Sequence, residues 1–221
     1  MTFALIHGAG DGAWYWHLLV AELRQRGHDA VAMDLPSDDD AAGLPEYADA
    51  VVAAVGDHFG LVVVGQSFGG FTAPLVCDRV PVELLVLVAG MIPAPGEPPQ
   101  DWWANTRYEA ANDASATDEE EDVIATYYHD VPPELAAEAL ARERPQSGTP
   151  MRKPWPREAW PDVPTRILLC RDDRLFSPEF MRRVARERLG IVPDEIAGGH
   201  CVALSRPVEL ADRLEAYLAE L

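Results

Sequence analysis

One segment of the chain reads LVVVGQSFGGFTAPLV over residues 61–76. Its apolar start is typical of a buried strand, and the residues after the glycines are typical of a helix. The pattern Gly-x-Ser-x-Gly over 65–69 therefore predicts a strand, a tight turn and a helix, with Ser67 exposed on a strained turn as a candidate nucleophile. An ordinary glycine-rich turn has the same five letters. The interpretation therefore depends on whether the chain also supplies a base, an acid and an oxyanion hole.

The composition favours one domain with an insertion, because 221 residues can bury a substantial core. The chain carries 37 acidic and 18 basic side chains, a net charge of −19, which argues against nucleic acid or an anionic membrane as partner. The longest apolar run, over 84–92, is too short to span a membrane, and the N-terminal residues lack a signal-peptide pattern. Three widely spaced cysteines, Cys77, Cys170 and Cys201, favour free thiols in a reducing cytoplasm. We therefore expect a cytoplasmic protein.

Short aliphatic runs alternate with longer segments of helical period. The strand candidates are 2–6, 30–33, 61–64, 84–89, 167–170 and, more weakly, 191–196. The helix candidates between them are 16–26, 45–58, 68–79, 178–188 and 207–219. Runs that are apolar throughout are typical of strands buried on both faces, so the alternation predicts an α/β fold with a mostly parallel sheet of about six strands and helices on both faces.

Residues 93–162 break the alternation, with no convincing strand and three helical stretches. An insertion after the strand that follows the elbow helix would lie above the carboxyl ends of the strands, where ligands bind in open α/β sheets. We therefore expect a core formed by 1–92 and 163–221 and a helical cap formed by 93–162. A peripheral decoration with its own small core is the alternative. None of its aromatic side chains is assigned individually to the substrate.

The base and the acid should follow the serine in the sequence, because this class of site has the order serine, acid, histidine. His200 lies in the segment Gly198-Gly199-His200, after the last strand candidate. Asp172 and Asp173 both follow the penultimate strand candidate. The register favours Asp173 as the partner of the histidine, which leaves Asp172 to cap the turn or to pair with an arginine.

The oxyanion hole needs two backbone N–H groups that point at the developing negative charge. One should belong to Phe68, directly after the nucleophile. The other should come from the loop after the first strand, His7-Gly8-Ala9-Gly10, and we assign it to Ala9. A strand-end turn without a catalytic role is the alternative for this loop.

Four motifs resemble the α/β-hydrolase superfamily: HGAGDGAW over 7–14, GQSFGG over 65–70, DRLFSPEF over 173–180 and GGH over 198–200. Within it they are similar to the plant methylesterases, the plant hydroxynitrile lyases and their bacterial esterase relatives. The resemblance implies an α/β-hydrolase fold, a Ser67–His200–Asp173 triad and an oxyanion hole from Ala9 and Phe68. It implies no metal and no organic cofactor.

Two positions depart from the lyases, which carry a threonine at Gly8 and a lysine at Cys201. Without that lysine no cation stabilises a departing cyanide, so the resemblance favours ester hydrolysis. Gln66 replaces a histidine common in the esterases, and no strong consequence is expected. We expect a small to medium, largely apolar ester as substrate. The sequence does not decide whether the protein forms a homodimer. Amide, lactone or carbon–carbon bond cleavage by the same triad and a ligand-binding signalling protein are the alternatives.

Overall fold

The sheet consists of six parallel strands in the order β2-β1-β3-β4-β5-β6. A computed structural model describes residues 1–57, 59–108 and 119–221, and of residues 119–122 only the backbone. The strands are β1 (Thr2–Ile6), β2 (Asp29–Ala32), β3 (Leu61–Gln66), β4 (Val82–Val88), β5 (Thr165–Cys170) and β6 (Asp194–Ile196). The predicted parallel sheet of six strands is confirmed.

The neighbouring strands β1 and β3 are buried along their whole length. Their near-continuous apolar sequence suits a sheet that is covered on both faces. Ile6 at the end of β1 pairs with Gly65 near the end of β3, and Gln66 pairs with Val88 of β4. The loops that follow these three strands therefore start side by side at the carboxyl edge of the sheet.

Helices cover both faces of the sheet, as the sequence predicts. They are α1 (His17–Gln25), α2 (Leu44–Val55), α3 (Gly69–Val76), α4 (Trp102–Asn105), α5 (Glu119–Tyr127), α6 (Pro133–Ala141), α7 (Thr149–Arg152), α8 (Pro178–Leu189), α9 (Val202–Ser205) and α10 (Pro207–Leu218). Short 3-10 helices cover Ala13–Trp16 and Pro99–Asp101. Apolar residues of α2, α3 and α8 form one core cluster, and those of α1, α9 and α10 form the other. The helix predicted over 45–58 ends at Val55, and His58 lies outside the described residues.

The segment between β4 and β5 contains no strand among its described residues, and within 93–162 the structure has α4 to α7 and one 3-10 helix. Residues 109–118 of the predicted cap lie outside the described residues. Glu97 attaches this segment to α8 through Arg188, whose Nη2 donates a hydrogen bond of 2.7 Å to Glu97 Oε1. Trp155 adds a second attachment, since its indole N–H donates to the carbonyl of Phe71 at 2.9 Å.

No helix in the described part of the chain is long and apolar enough to cross a membrane.

Candidate active site

Ser67 follows β3 directly and has a φ of 49°, in the left-handed region that side-chain-bearing residues rarely adopt. Close backbone packing encloses the turn. A Cβ on Gly69 would stand 2.8 Å from the carbonyl oxygen of His7, and one on Gly70 would stand 2.0 Å from that of Met91. The carbonyl of Ser67 accepts the N–H of Met91 at 2.9 Å. The structure therefore has the strained strand–turn–helix that the sequence predicts around Ser67.

His200 and Asp173 form a buried pair at the same edge of the sheet. The distance between His200 Nδ1 and Asp173 Oδ2 is 2.8 Å, and their side chains are 2% and 1% exposed. The other carboxylate oxygen accepts the N–H groups of Leu175 and Phe176 at 2.8 and 3.0 Å. Because both carboxylate oxygens of Asp173 are engaged, the carboxylate holds the imidazole with its Nδ1–H toward Asp173, which leaves Nε2 as the free base.

The structure separates the two aspartates that the sequence left as alternatives. The exposed Asp172 does not contact the imidazole of His200. Its Oδ2 accepts the N–H of Gly198 at 2.9 Å, and its backbone N–H donates to the carbonyl of Gly198 at 3.0 Å. Asp172 therefore holds the loop that carries His200, a contact that the sequence did not predict.

The two predicted oxyanion donors, Ala9 and Phe68, line one cavity together with Ser67. The loop of Ala9 approaches the elbow closely, because a Cβ on Gly8 would stand 3.0 Å from the Cβ of Ser67. Within the described part of the chain, neither N–H donates a backbone hydrogen bond outside helices and strands. The role of these two N–H groups as an oxyanion hole stays a prediction.

His7 fixes the loop that carries Ala9. Its Nδ1–H donates to the carbonyl of Gly8 at 2.7 Å, and its Nε2 accepts the N–H of Leu35 at 3.2 Å. Burial lowers the pKa of His7 to about 4, against a smaller opposing effect of the hydrogen bond to Gly8. The ring is therefore neutral near pH 7 and joins two loops without adding charge to the site.

Three further residues hold the loops that carry His200 and Asp173, and sequence reasoning missed all of these contacts. Gln66 Nε2 donates to the carbonyl of His200 at 3.3 Å, so the residue for which no consequence was expected contacts the catalytic loop. Asp130 Oδ2 accepts the N–H of Gly199 at 2.7 Å, and His129 Nε2 donates to the carbonyl of Asp172 at 2.8 Å. His129 and Asp130 belong to the predicted cap, and no local sequence motif indicates that they contact Asp172 and Gly199.

Ser67 and His200 open into a cavity of ≈ 330 Å³. Its walls are mostly apolar and aromatic, and the rings of Tyr127 and Phe176 meet the imidazole of His200 edge-on, with centroids 5.5 and 5.3 Å away. The segment 93–162 contributes Pro99, Trp103, Val123, Tyr127, Tyr128, Leu140, Glu143 and Met151 to the lining. Among residues 1–57, 59–108 and 119–221, no group of three or more His, Cys, Asp or Glu side chains is arranged to hold a metal ion.

A serine on a strained strand-to-helix turn, a histidine after the last strand and an aspartate after the preceding strand define a hydrolase-type site on an open α/β sheet. A family model described as the alpha/beta hydrolase family matches residues 3–213. The chain therefore belongs to the alpha/beta hydrolase family.

Curated relatives include two rice proteins. The chain is 30% identical to "Esterase PIR7B" of Oryza sativa subsp. japonica, in an alignment that covers 96% of this chain and 93% of that protein. It is 39% identical to "Probable esterase PIR7A" of Oryza sativa subsp. indica, but that alignment covers 43% of this chain and only 41% of the relative. Among solved structures, polyneuridine aldehyde esterase superposes with a TM-score of 0.81 at 22% identity, covering 98% of each chain. At that identity the superposition shows a shared fold.

Proposed function

We propose that the chain is a serine esterase that hydrolyses a small to medium, largely apolar carboxylic ester through an acyl-enzyme on Ser67. One observation carries the proposal. His200, joined to Asp173 at 2.8 Å, borders the same cavity as Ser67 on its strained turn. The esterase names of the rice relatives support the same reaction class.

In the first half of the reaction, Ser67 Oγ attacks the ester carbonyl while His200 Nε2 takes its proton. Asp173 stabilises the imidazolium that forms. The N–H groups of Ala9 and Phe68 would stabilise the oxyanion of the tetrahedral intermediate, because both border the cavity beside the serine. Collapse of this intermediate releases the alcohol, which receives the proton from His200.

In the second half, His200 takes a proton from a water molecule, and the resulting hydroxide attacks the acyl group on Ser67. The second tetrahedral intermediate uses the same two donors. Its collapse returns the proton to Ser67 and releases the carboxylic acid. Each step uses only groups of this chain and water.

The cavity supports the proposed substrate class. Its volume of ≈ 330 Å³ lies at the lower end of the usual range of about 300–1,000 Å³ for ligand pockets. Trp103, Tyr127 and Tyr128 line it from the segment 93–162, which favours an apolar body in the substrate. We propose that this segment is a cap over a core formed by 1–92 and 163–221, and that the protein is cytoplasmic, in keeping with three free cysteines.

The test is hydrolysis of p-nitrophenyl esters, from acetate to octanoate, by the wild type, Ser67→Ala and Ser205→Ala. We expect Ser67→Ala to lose about 10⁴-fold or more in kcat/KM, because it removes the nucleophile. Ser205→Ala is the matched control, since its hydroxyl has no hydrogen-bond partner in the described part of the chain, and it should keep full activity. Equal rates in Ser67→Ala and the wild type would overturn the proposal.

A further inference from the structure

Asp11 places a carboxyl group in the catalytic cavity that the proposed reaction does not use. It lies two residues after Ala9 on the loop that follows β1, and it lines the cavity together with Ser67 and His200. Within the described part of the chain, its carboxylate has no hydrogen-bond partner. Removing a carboxylate from water without a hydrogen-bond partner destabilises the folded protein. The presence of Asp11 in the cavity therefore suggests that it binds something there.

No lysine or arginine forms an ion pair with Asp11 in the described part of the chain. The titratable groups that act on it most are His200 and Glu143, and Glu143 adds a second carboxyl to the cavity. No lysine or arginine is among the described residues that line this cavity. The titratable groups that line the catalytic cavity with Asp11 are Tyr127, Tyr128, Glu143, His200 and Cys201, and those that line the neighbouring cavity with it are Tyr15, Asp34, Arg142 and Arg144.

The two arginines of the neighbouring cavity are engaged elsewhere. Arg142 pairs with Glu138 at 2.9 Å, and its guanidinium lies 5.2 Å from the ring centroid of Trp14. Arg144 donates to the carbonyl of Leu35 at 3.0 Å. Neither arginine forms an ion pair with Asp11 within the described part of the chain.

The remaining polar and aromatic lining suits a cation as well. Gln66 Oε1, from a side chain that is 1% exposed, has no hydrogen-bond partner in the described residues and adds an oxygen acceptor at the same cavity. The aromatic residues Trp103, Tyr127 and Tyr128 line the same cavity. Aromatic faces beside a carboxylate are the usual surroundings of a bound ammonium group.

We propose that Asp11 is a specificity-determining residue that binds a positively charged nitrogen of the ester substrate, a protonated or quaternary amine on an otherwise apolar body. The proposal rests on the proposed function, because it concerns the substrate of the same site. It narrows that function from apolar esters in general to esters of cationic amino compounds. Glu143, an exposed residue of the segment 93–162 that lines the cavity, would attract the same positively charged nitrogen.

The test compares esters that differ only in charge. Butyrylcholine is compared with dimethylbutyl butanoate for a charge on the alcohol side, and betaine methyl ester with methyl tert-butylacetate for a charge on the acyl side. A quaternary nitrogen keeps its charge at every pH, so the substrate adds no titration of its own. The variants are Asp11→Asn, which keeps the shape of the side chain, and Asp57→Asn, which removes one charge from the exposed loop before β3 at the opposite edge of the sheet.

We expect the wild type and Asp57→Asn to prefer the cationic member of at least one pair by about tenfold in kcat/KM, as a charge contact of moderate strength gives. Asp11→Asn should abolish that preference and keep the rate on the neutral ester within about threefold. A preference ratio near one in the wild type, or an unchanged ratio in Asp11→Asn, would overturn the inference while leaving the proposed function intact.

A binding measurement decides the inference even without turnover. Calorimetric titration of the Ser67→Ala variant with each ester pair should show tighter binding of the cationic member, and the Ser67→Ala, Asp11→Asn double variant should lose that difference. Equal affinities for both members in Ser67→Ala would contradict the role of Asp11. By contrast, failure of the proposed function would appear as neutral-ester hydrolysis that does not depend on Ser67.

Discussion

The carboxyl edge of the sheet and the segment 93–162 reach the same cavity by different means. At the sheet edge, each group lies within three residues of a strand end: Ala9 after β1, Ser67 after β3 and Asp173 after β5. The segment 93–162 reaches the cavity through contacts between residues far apart in the chain, such as the pair of Glu97 with Arg188 and the bond from Gly199 to Asp130. The first region holds the proposed catalytic groups, and the second supplies part of the cavity wall beside them.

The geometry of the nucleophile and the shape of the cavity are therefore encoded over different distances in the sequence. A nucleophile on a strained turn can be encoded within five residues, because the turn itself fixes the geometry. The walls of the cavity depend on distant packing, and Glu97 shows how that packing is held. Burial alone would raise the pKa of Glu97, but hydrogen bonds from Arg188, Asn105 and the N–H of Ala94 lower it below its ordinary value. The carboxylate is therefore charged and paired where the segment meets the core.

The largest expected effect separates the two aspartates of the sheet edge. Asp173→Asn should lower kcat by about 10³- to 10⁴-fold, because the amide no longer holds the imidazole in the required tautomer. Asp172→Asn keeps an oxygen that can accept the N–H of Gly198 and should lower kcat less than about threefold. Steady-state kinetics on one p-nitrophenyl ester measures both. Similar losses in the two variants would show that the edge acts as a loop scaffold rather than through one paired carboxylate.

The next effect tests the attachment of the segment 93–162. Arg188→Met leaves the buried Glu97 without its cation and should lower the free energy of unfolding by about 3 kcal/mol or more. Arg107→Met breaks the exposed pair with Glu187 and should change it by less than about 0.5 kcal/mol. Urea unfolding followed by tryptophan fluorescence measures both values. If Arg188→Met were as stable as Arg107→Met, the buried pair would not be what attaches the segment.

The smallest effect concerns the stability cost of Asp11. Burial raises the pKa of Asp11 to about 7, although attraction to His200 opposes the rise. The folded state therefore binds this proton more tightly than the unfolded state, and wild-type stability falls as the pH rises from about 4 to about 7. The Asp11→Asn variant has no carboxyl at this position, so its stability does not include this fall between pH 4 and pH 7. It should match the wild type near pH 4 and exceed it by about 1 to 3 kcal/mol at pH 8.

Urea unfolding of the wild type and of Asp11→Asn at pH 4 and pH 8 measures this difference in the free energy of unfolding. The same difference in stability at pH 4 and pH 8 would mean that folding does not raise the pKa of Asp11. A gain in stability together with a loss of preference for cationic esters would be a trade between stability and function at one residue.

Most of the sheet edge could be predicted from the sequence, because its signals are local. The apolar runs gave the strands within a few residues, and β1 matches its predicted range of 2–6. The elbow at Ser67 and the choice of Asp173 over Asp172 follow from position relative to a strand end. The weakest prediction was the last strand, expected over 191–196 and present only over 194–196. Its polar residues Asp194 and Glu195 weaken the apolar signal at the edge of the sheet.

The rest of the site could not be predicted, because it depends on residues that meet only in the folded chain. Nothing near Asp130 indicates that its carboxylate accepts the N–H of Gly199. Likewise, the sequence indicates only a polar loop residue at Asp11. Its place in one cavity with Glu143 and several aromatic residues depends on the folded chain. The segment 93–162 was predicted as helical from composition, yet which of its aromatic residues line the cavity and which pack into the core depends on distant contacts. Trp102 and Trp155 are buried in the core cluster, whereas Trp103 lines the cavity.

The most direct test of the central claim is covalent labelling of the nucleophile. The wild type, Ser67→Ala and His200→Ala are treated with a fluorophosphonate, and the modified residue is located by peptide mass spectrometry. We expect one adduct, on Ser67, that is absent in Ser67→Ala and forms far more slowly in His200→Ala because the serine loses its base. An adduct on another residue, or an active enzyme that the reagent neither labels nor inhibits, would contradict it.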